Sequence, residues 1–264
     1  MGKLDTITKN YMSNSTVFAD AFNFLVYNGK QVIDPDNLEE TNPAELALLF
    51  GKDNKPVEFI QRYRDIIKLA TIMKDEKRTY VILGIENQNR IHYAMPVRNC
   101  IYDALQYVKQ VKAIADKHKR DGNNKGHSSD EFLSGLYKGD RIKPVVTLVV
   151  YFGDNVWDGP LSLKEMMEEE DPEMMEFVHD YKIHLIQPAW IADQDFYRFH
   201  SNLGTVMKFI KVSKDVDKMR ALLDSGEMDE LPRDAAMVIQ AYTELDIKIS
   251  ENSEVSECVK QFRR

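Results

Sequence analysis

The stretch Thr79 to Gln88, TYVILGIENQ, constrains this chain more than any other. Tyr80, Val81, Ile82 and Leu83 form an apolar, β-branched run of strand length with no helix caps beside it, which predicts a strand buried on both faces. Side chains alternate across a strand, so Glu86 and Gln88 share one face while Asn87 takes the other. A second strand is predicted from Ile66 to Met73, opened by Arg64 and Asp65, with Lys74 to Arg78 as the turn between the two. Pairing them as a hairpin brings Asp65, at the start of one, near Glu86, at the end of the other. Two carboxylates meeting at a buried strand end suit a hard divalent cation such as Mg2+, which keeps open positions for water and phosphate.

The 264 residues are enough for one good core with a helical appendage, or for two small domains. Hydrophobic residues at 43% and charged residues at 30% give the balance of a soluble globular chain. Cys100 and Cys258 form neither a disulfide framework nor a zinc motif, which predicts a reducing, cytoplasmic setting. No basic segment followed by an apolar run opens the sequence, and Val145 to Phe152 is too short to cross a bilayer, so neither export nor a membrane is expected. The formal net charge of -8 opposes the cationic character that DNA binding draws on. That charge is uneven, acidic over Glu165 to Glu176 and basic over Lys109 to Lys125. Glycine-rich phosphate loops, Gly-x-Ser-x-Gly elbows and His-Glu-x-x-His motifs do not occur, which removes the enzyme classes built on them.

Residues 1–13 carry little pattern and are predicted as a loose arm. Asn14, Ser15 and Thr16 offer N-cap oxygens ahead of Val17, Phe18, Ala21, Phe22, Leu25 and Val26 at helical spacing, and Asn28-Gly29 ends that helix. Lys30 to Asp53 reads as turns with one short helix at Ala44 to Phe50. Met95-Pro96 starts a helix running to about Asp116, with Val97, Ile101, Ala104, Leu105, Val108 and Val111 as its buried stripe. Arg98, Tyr102 and Gln106 line an adjoining face. That row suits a phosphate, and a packed Tyr102 beside a solvated Arg98 accounts for it equally well. Lys117 to Ser129 reads as a polar surface loop in which His118 and His127 have no zinc spacing.

Val145 to Phe152 predicts a central buried strand. Two turns follow, at Gly153 to Asn155 and at Trp157-Asp158-Gly159-Pro160, the second covering one end of the sheet, and then a short strand at Ile183 to Ile186. A long helix is predicted from about Asp193 through Phe196, Phe199, Leu203, Val206 and Ile210, with further helices around Met219 to Leu223 and Ala235 to Leu245. The class is α/β: a mixed four- or five-stranded sheet flanked by helices. Residues 1–192 form the core, with a flexible loop near 117–130, and residues 193–264 form an α-helical C-terminal region.

The ordered set Arg64-Asp65, Glu86-Asn87-Gln88, Met95-Pro96-Val97-Arg98 with Tyr102, Pro144 to Gly153, Trp157 to Pro160 and Phe209-Ile210-Lys211 spans most of the chain. It resembles the PD-(D/E)xK phosphodiesterases of the Rpn recombination-promoting nuclease and transposase-like group. The resemblance implies a restriction-endonuclease-like core, metal-dependent hydrolysis of phosphodiester bonds, Mg2+ or Mn2+ as cofactor and DNA as partner. Asp65 and Glu86 become the metal ligands, Gln88 the third catalytic residue, and Arg98 and Tyr102 the groups that bind substrate. The first helix of that superfamily often lends an acid, which makes Asp20 a candidate helper; the alternative is a solvated Asp20 on the polar face.

The superfamily's usual third residue is a lysine, whose charge favours the negative charge developing on phosphate. Gln88 has no charge, although the Rpn-like group commonly carries glutamine there. Lys68 and Lys109 lie nearby in sequence, and no spacing marks either as the substitute. Two other classes fit the same residues. One is an inactive nucleic-acid-binding or regulatory protein on a nuclease-derived fold; the other is a homo-oligomer module that buries Glu86 between copies.

Overall fold

The structure, a computed structural model, describes residues 3–41, 44–50, 56–63, 65–74, 77–122, 127–168, 171–228, 231–243, 245–248 and 257–262. Arg64 lies outside the described residues. The stretch expected to be a loose arm is helix α1 (Lys3–Ser13), whose end residues Tyr11 and Met12 are fully buried. Leu4, Ile7 and Tyr11 at helical spacing give it an inner face. Asn14 then caps α2 (Ser15–Tyr27) by accepting from the Thr16 N–H at 2.9 Å, and Asn28 ends it in the left-handed conformation at φ 55°.

Strands β1 (Leu38–Glu40), β2 (Ala44–Phe50), β3 (Pro56–Tyr63), β4 (Ile66–Lys74) and β5 (Lys77–Gln88) follow. The short helix expected at Ala44 to Phe50 is a strand, paired antiparallel with β3 from Ala44 against Tyr63 to Phe50 against Pro56. Alanine, leucine and glutamate favour a helix locally, but pairing with the β-forming Val57, Phe59 and Ile60 overrides that preference. Beyond β5 come α3 (Met95–Asp121), α4 (Ser129–Ser134), β6 (Val145–Tyr151), α5 (Pro172–Phe177), β7 (His184–Ile186), α6 (Leu203–Lys211), α7 (Val216–Asp224), α8 (Arg233–Tyr242), β8 (Leu245–Lys248) and β9 (Glu257–Phe262). Among the described residues no helix is long and apolar enough to cross a membrane.

The protein is α/β, with one mixed five-stranded sheet in the order β1-β4-β5-β6-β7. β1 and β5 run antiparallel to β4, whereas β5, β6 and β7 are mutually parallel, so a crossover must join β5 to β6. That crossover contains α3. One face of the sheet, with Ile66, Leu83, Ile85, Leu148 and Val150, packs in a single apolar cluster with α1, α2, α6, α7 and α8. The helices after residue 193 therefore share the core of the residues before it. The other face, with Ile67, Ile82, Val145 and Val149, packs against Tyr107 and Met95 of α3.

α3 departs from expectation in which side it buries. Of the expected stripe Leu105 is buried and Val111 half-buried, but Val97, Ile101, Ala104 and Val108 are exposed, whereas Met95, Asn99, Tyr102, Asp103 and Gln106 are buried. Polar groups on the sheet underneath accept this rotation, as the site geometry shows below. The helix also continues through the expected loop to Asp121, closed by Gly122 at φ 61°. His118 Nε2 lies 2.8 Å from Asp140 Oδ2, and the His118 and His127 rings both stack on Tyr137. The centre of the expected loop, 123–126, falls outside the described residues.

The long helix expected from Asp193 is broken. Asp193–Arg198 is a 3-10 turn, and α6 begins only at Leu203. The break is held by Asp20, 2% exposed, which accepts from the His200 N–H at 3.0 Å, from the Ser201 N–H at 2.8 Å and from the Ser201 hydroxyl at 2.6 Å. Asp20→Ala is expected to lower stability by about 2–3 kcal/mol, because charge-assisted bonds to two backbone donors are lost together. The check is a lower urea midpoint at an unchanged m-value.

Candidate active site

Ile66 pairs with Ile85 across the hairpin, so the next position outward sets Asp65 opposite Glu86. Residues directly opposite each other share a face. Asp65 stands one residue before β4, and its Oδ2 accepts from the Asn87 backbone N–H at 2.8 Å. Glu86 is fully buried on the face covered by α3. Over it, Arg98 Nη2 lies 2.9 Å from Glu86 Oε2, while Arg98 Nε donates to the Tyr102 hydroxyl at 3.1 Å. One helical turn separates Arg98 from Tyr102, which is why α3 can present both at once. Gln88 lies two residues beyond Glu86 on the same face, half-buried at the strand end, and its backbone carbonyl accepts from Phe152 N at 2.8 Å. Asn87 is in register with Val150, a residue of the opposite face.

Beneath these groups a second carboxylate network fixes how α3 is turned. Asp103 Oδ1 accepts from Thr147 Oγ1 at 2.6 Å and Asp103 Oδ2 from the Tyr181 hydroxyl at 2.5 Å. A buried carboxylate needs donors on its oxygens. Thr147 is on β6 and Tyr181 precedes β7, so Asp103 ties the helix to both. That anchor explains why the polar side of α3 faces inward, and it holds Arg98 and Tyr102 over the hairpin. The Trp157 turn closes the same end of the sheet: Trp157 packs edge-on against Tyr151 and donates its backbone N–H to Gln187 Oε1 at 2.7 Å.

Burial raises the Asp65 carboxyl above its ordinary range, against the Asn87 N–H and the nearby Arg98, which pull it down. Burial also raises the Tyr102 phenol, with Glu86 adding to the effect. Burial alone would lower Arg98, but Glu86, Tyr102 and Asp65 together leave it raised. Two α1 residues also act on Asp65: Lys9 lowers its pKa and Asp5 raises it. Asp5 accepts from Asn89 Nδ2 at 3.0 Å, which ties α1 to the end of β5. Both residues were missed because α1 was read as an arm. The Leu4, Ile7, Tyr11 spacing was the signal that could have found them.

Asp65, Glu86, Arg98 and Tyr102 are thus brought together, with Gln88 at the strand end beside them. Asp20 is not brought to this cluster; it sits on α2, on the other side of the sheet, holding His200 and Ser201. Lys68 is also on that far side, donating to Ser13 O at 2.8 Å and Ser15 Oγ at 3.0 Å, so it does not stand in for the superfamily lysine. Among the described residues no group of three or more His, Cys, Asp or Glu side chains is gathered as a metal centre. Compared with known proteins, the chain matches no family model, no curated protein and no solved structure.

The raised Asp65 sets a sign for pH dependence. The folded state holds this proton more tightly than the unfolded chain, whose Asp titrates near about 3.9. Ionising Asp65 therefore costs stability as pH rises from that value through its raised one. Asp65→Asn is expected to gain stability relative to wild type across that window and to hold the gain above it. Urea midpoints at a series of pH values from acid to neutral check this; a difference independent of pH would refute it.

Proposed function

We propose that the protein is a metal-dependent DNA endonuclease that hydrolyses phosphodiester bonds on a restriction-endonuclease-like core of the Rpn type. The observation that carries this reading is the meeting of Asp65 and Glu86, from the two strands of one hairpin, beneath Arg98 and Tyr102. A mixed sheet flanked by helices agrees with what the resemblance implies.

The residues fit Mg2+ or Mn2+. Their donors are the hard carboxylate oxygens of Asp65 and Glu86, brought together by one hairpin. Two protein carboxylates are enough for an ion that keeps several waters and takes substrate oxygens as further ligands. When bound, the ion would polarise a phosphate oxygen and make a water more acidic.

Asp65 and Glu86 would hold the ion, and the Gln88 amide would orient the attacking water or a phosphate oxygen. Arg98 has five N–H donors, so one edge can stay with Glu86 while another meets phosphate. Tyr102 fixes the guanidinium through its hydroxyl. Exposed Lys117, Lys119 and Arg120 at the end of α3 offset the net charge of -8 locally when DNA approaches.

The Arg98–Glu86 pair also favours a second reading, a DNA-binding or regulatory protein without turnover, because a guanidinium at 2.9 Å already compensates the buried acid. Single-turnover cleavage of plasmid and short duplex DNA with magnesium, manganese and calcium separates the two. Cleavage is expected with magnesium or manganese and should be nearly abolished in both Asp65→Ala and Glu86→Ala. Gln88→Ala should slow it by about ten- to a thousandfold, the range for one positioned donor, with DNA affinity in calcium changed less. A wild-type protein that binds DNA yet cuts nothing with either metal would establish the second reading.

A further inference from the structure

Glu86 is fully buried, so no cation from solvent reaches its carboxylate until a group covering it moves. Arg98 is such a group: its Nη2 lies 2.9 Å from Glu86 Oε2, while its own side chain is 33% exposed. Glu86 itself is fixed, because it projects from a strand whose register with β6 continues to Gln88, and freeing it would break that ladder. Arg98 has the freedom that Glu86 lacks. Its Nε donates to the hydroxyl of Tyr102, which is 4% exposed. A guanidinium has five N–H donors, so this one can leave Glu86 and keep Tyr102.

Charge decides when it leaves. Arg98 acts on Asp65 as well as on Glu86, so one guanidinium serves both carboxylates. Withdrawing it alone leaves a buried carboxylate unpaired, which is strongly unfavourable. Adding a divalent cation alone crowds two positive groups onto the same oxygens. A phosphodiester changes both conditions, since it offers Arg98 another planar, bidentate anion and so opens Glu86 to a cation. Exchanging both partners together leaves no charge unpaired.

We propose that Arg98 is a lock on the carboxylate site, opened by a phosphodiester. Metal and DNA then bind cooperatively, and the protein without DNA takes up metal poorly. The inference rests on the endonuclease reading for what the site does. It also gives the ion pair a place in that reading, as its resting state. The outer N–H groups of Arg98 meet phosphate first, while the inner edge still holds Glu86, and only then does the inner edge let go.

The test measures Mn2+ binding to the full-length protein by electron paramagnetic resonance, with and without dimethyl phosphate, a diester anion that has no base or sugar. Dimethyl phosphate is expected to tighten Mn2+ binding by wild type, and Mn2+ to tighten diester binding by the same factor. Arg98→Gln keeps an amide donor for Glu86 and removes the competing charge. Without the diester it should bind Mn2+ about ten- to a hundredfold more tightly than wild type, the scale of one charge-assisted hydrogen bond, and it should lose most of the enhancement. Lys9→Gln is the control for bulk electrostatics, since Lys9 acts on Asp65 from α1; it should shift binding far less. Unchanged or weaker Mn2+ binding in a folded Arg98→Gln protein, or an equal gain in Lys9→Gln, overturns the lock. If Arg98→Gln melts early, the wild-type titration decides: Mn2+ affinity that ignores the diester overturns it. DNA cleavage by wild type is measured alongside. Cleavage without this coupling sinks the lock and leaves the nuclease; coupling that depends on Arg98, without cleavage, does the reverse.

Discussion

The structure depends on β5 being hydrogen-bonded along both edges, to β4 on one side and to β6 on the other. Backbone polar groups in the middle of a sheet must be paired if they are to leave water. β4 pairs with Lys77 to Ile85 and β6 with Ile82 to Gln88, and beyond the end of β4 the Asp65 carboxylate takes the Asn87 N–H, so the strand reaches a fully buried Glu86 with its neighbouring backbone groups bonded. The same pairing sets the direction of every side chain on the strand, since a slip of one residue would exchange its two faces. Glu86 would then turn toward the apolar cluster, where burying its charge would be prohibitive without a counter-ion. The register of one hairpin thus decides both the stability of the sheet and the placing of Glu86 beneath Arg98.

α3 is the second half of that arrangement. Helices ordinarily bury their apolar stripe, but here the inward side carries Asn99, Tyr102, Asp103 and Gln106 beside Met95 and Leu105. Asp103 is held by Thr147 and Tyr181, so the rotation of the helix is set by hydrogen bonds more than by apolar area. Directional bonds constrain an angle far more tightly than a greasy contact does, and the position of Arg98 over Glu86 inherits that precision.

The parts of the fold that could be read from sequence are those whose signal is local. The apolar runs at Ile66 to Met73, Tyr80 to Leu83 and Val145 to Phe152 made the hairpin, the central strands and the meeting of Asp65 with Glu86 legible, although Lys74, Lys77 and Arg78, read as turn, belong to the paired strands. What escaped was set by partners far along the chain. Ala44 to Phe50 has a helix-forming composition, and its strand state comes from β3. The outward turn of Val97, Ile101 and Val108 follows from a threonine and a tyrosine well downstream. Asp20 reads like any acid at the edge of an amphipathic helix, and its actual partners lie 180 and 181 residues later. Arg98 and Tyr102 were legible as a pair through their helical spacing, but spacing carries no information about what faces them.

The single apolar cluster draws residues from Tyr11 through to Leu245. It joins residues far apart in sequence, and closing such long loops slows folding. During synthesis the part of this face that α6 and α8 cover stays open until those helices are made, although α1 and α2 already lie on the rest of it. An exposed apolar sheet is prone to aggregation. The interval between translation of β7 and arrival of α8 is therefore the one in which this face is least covered.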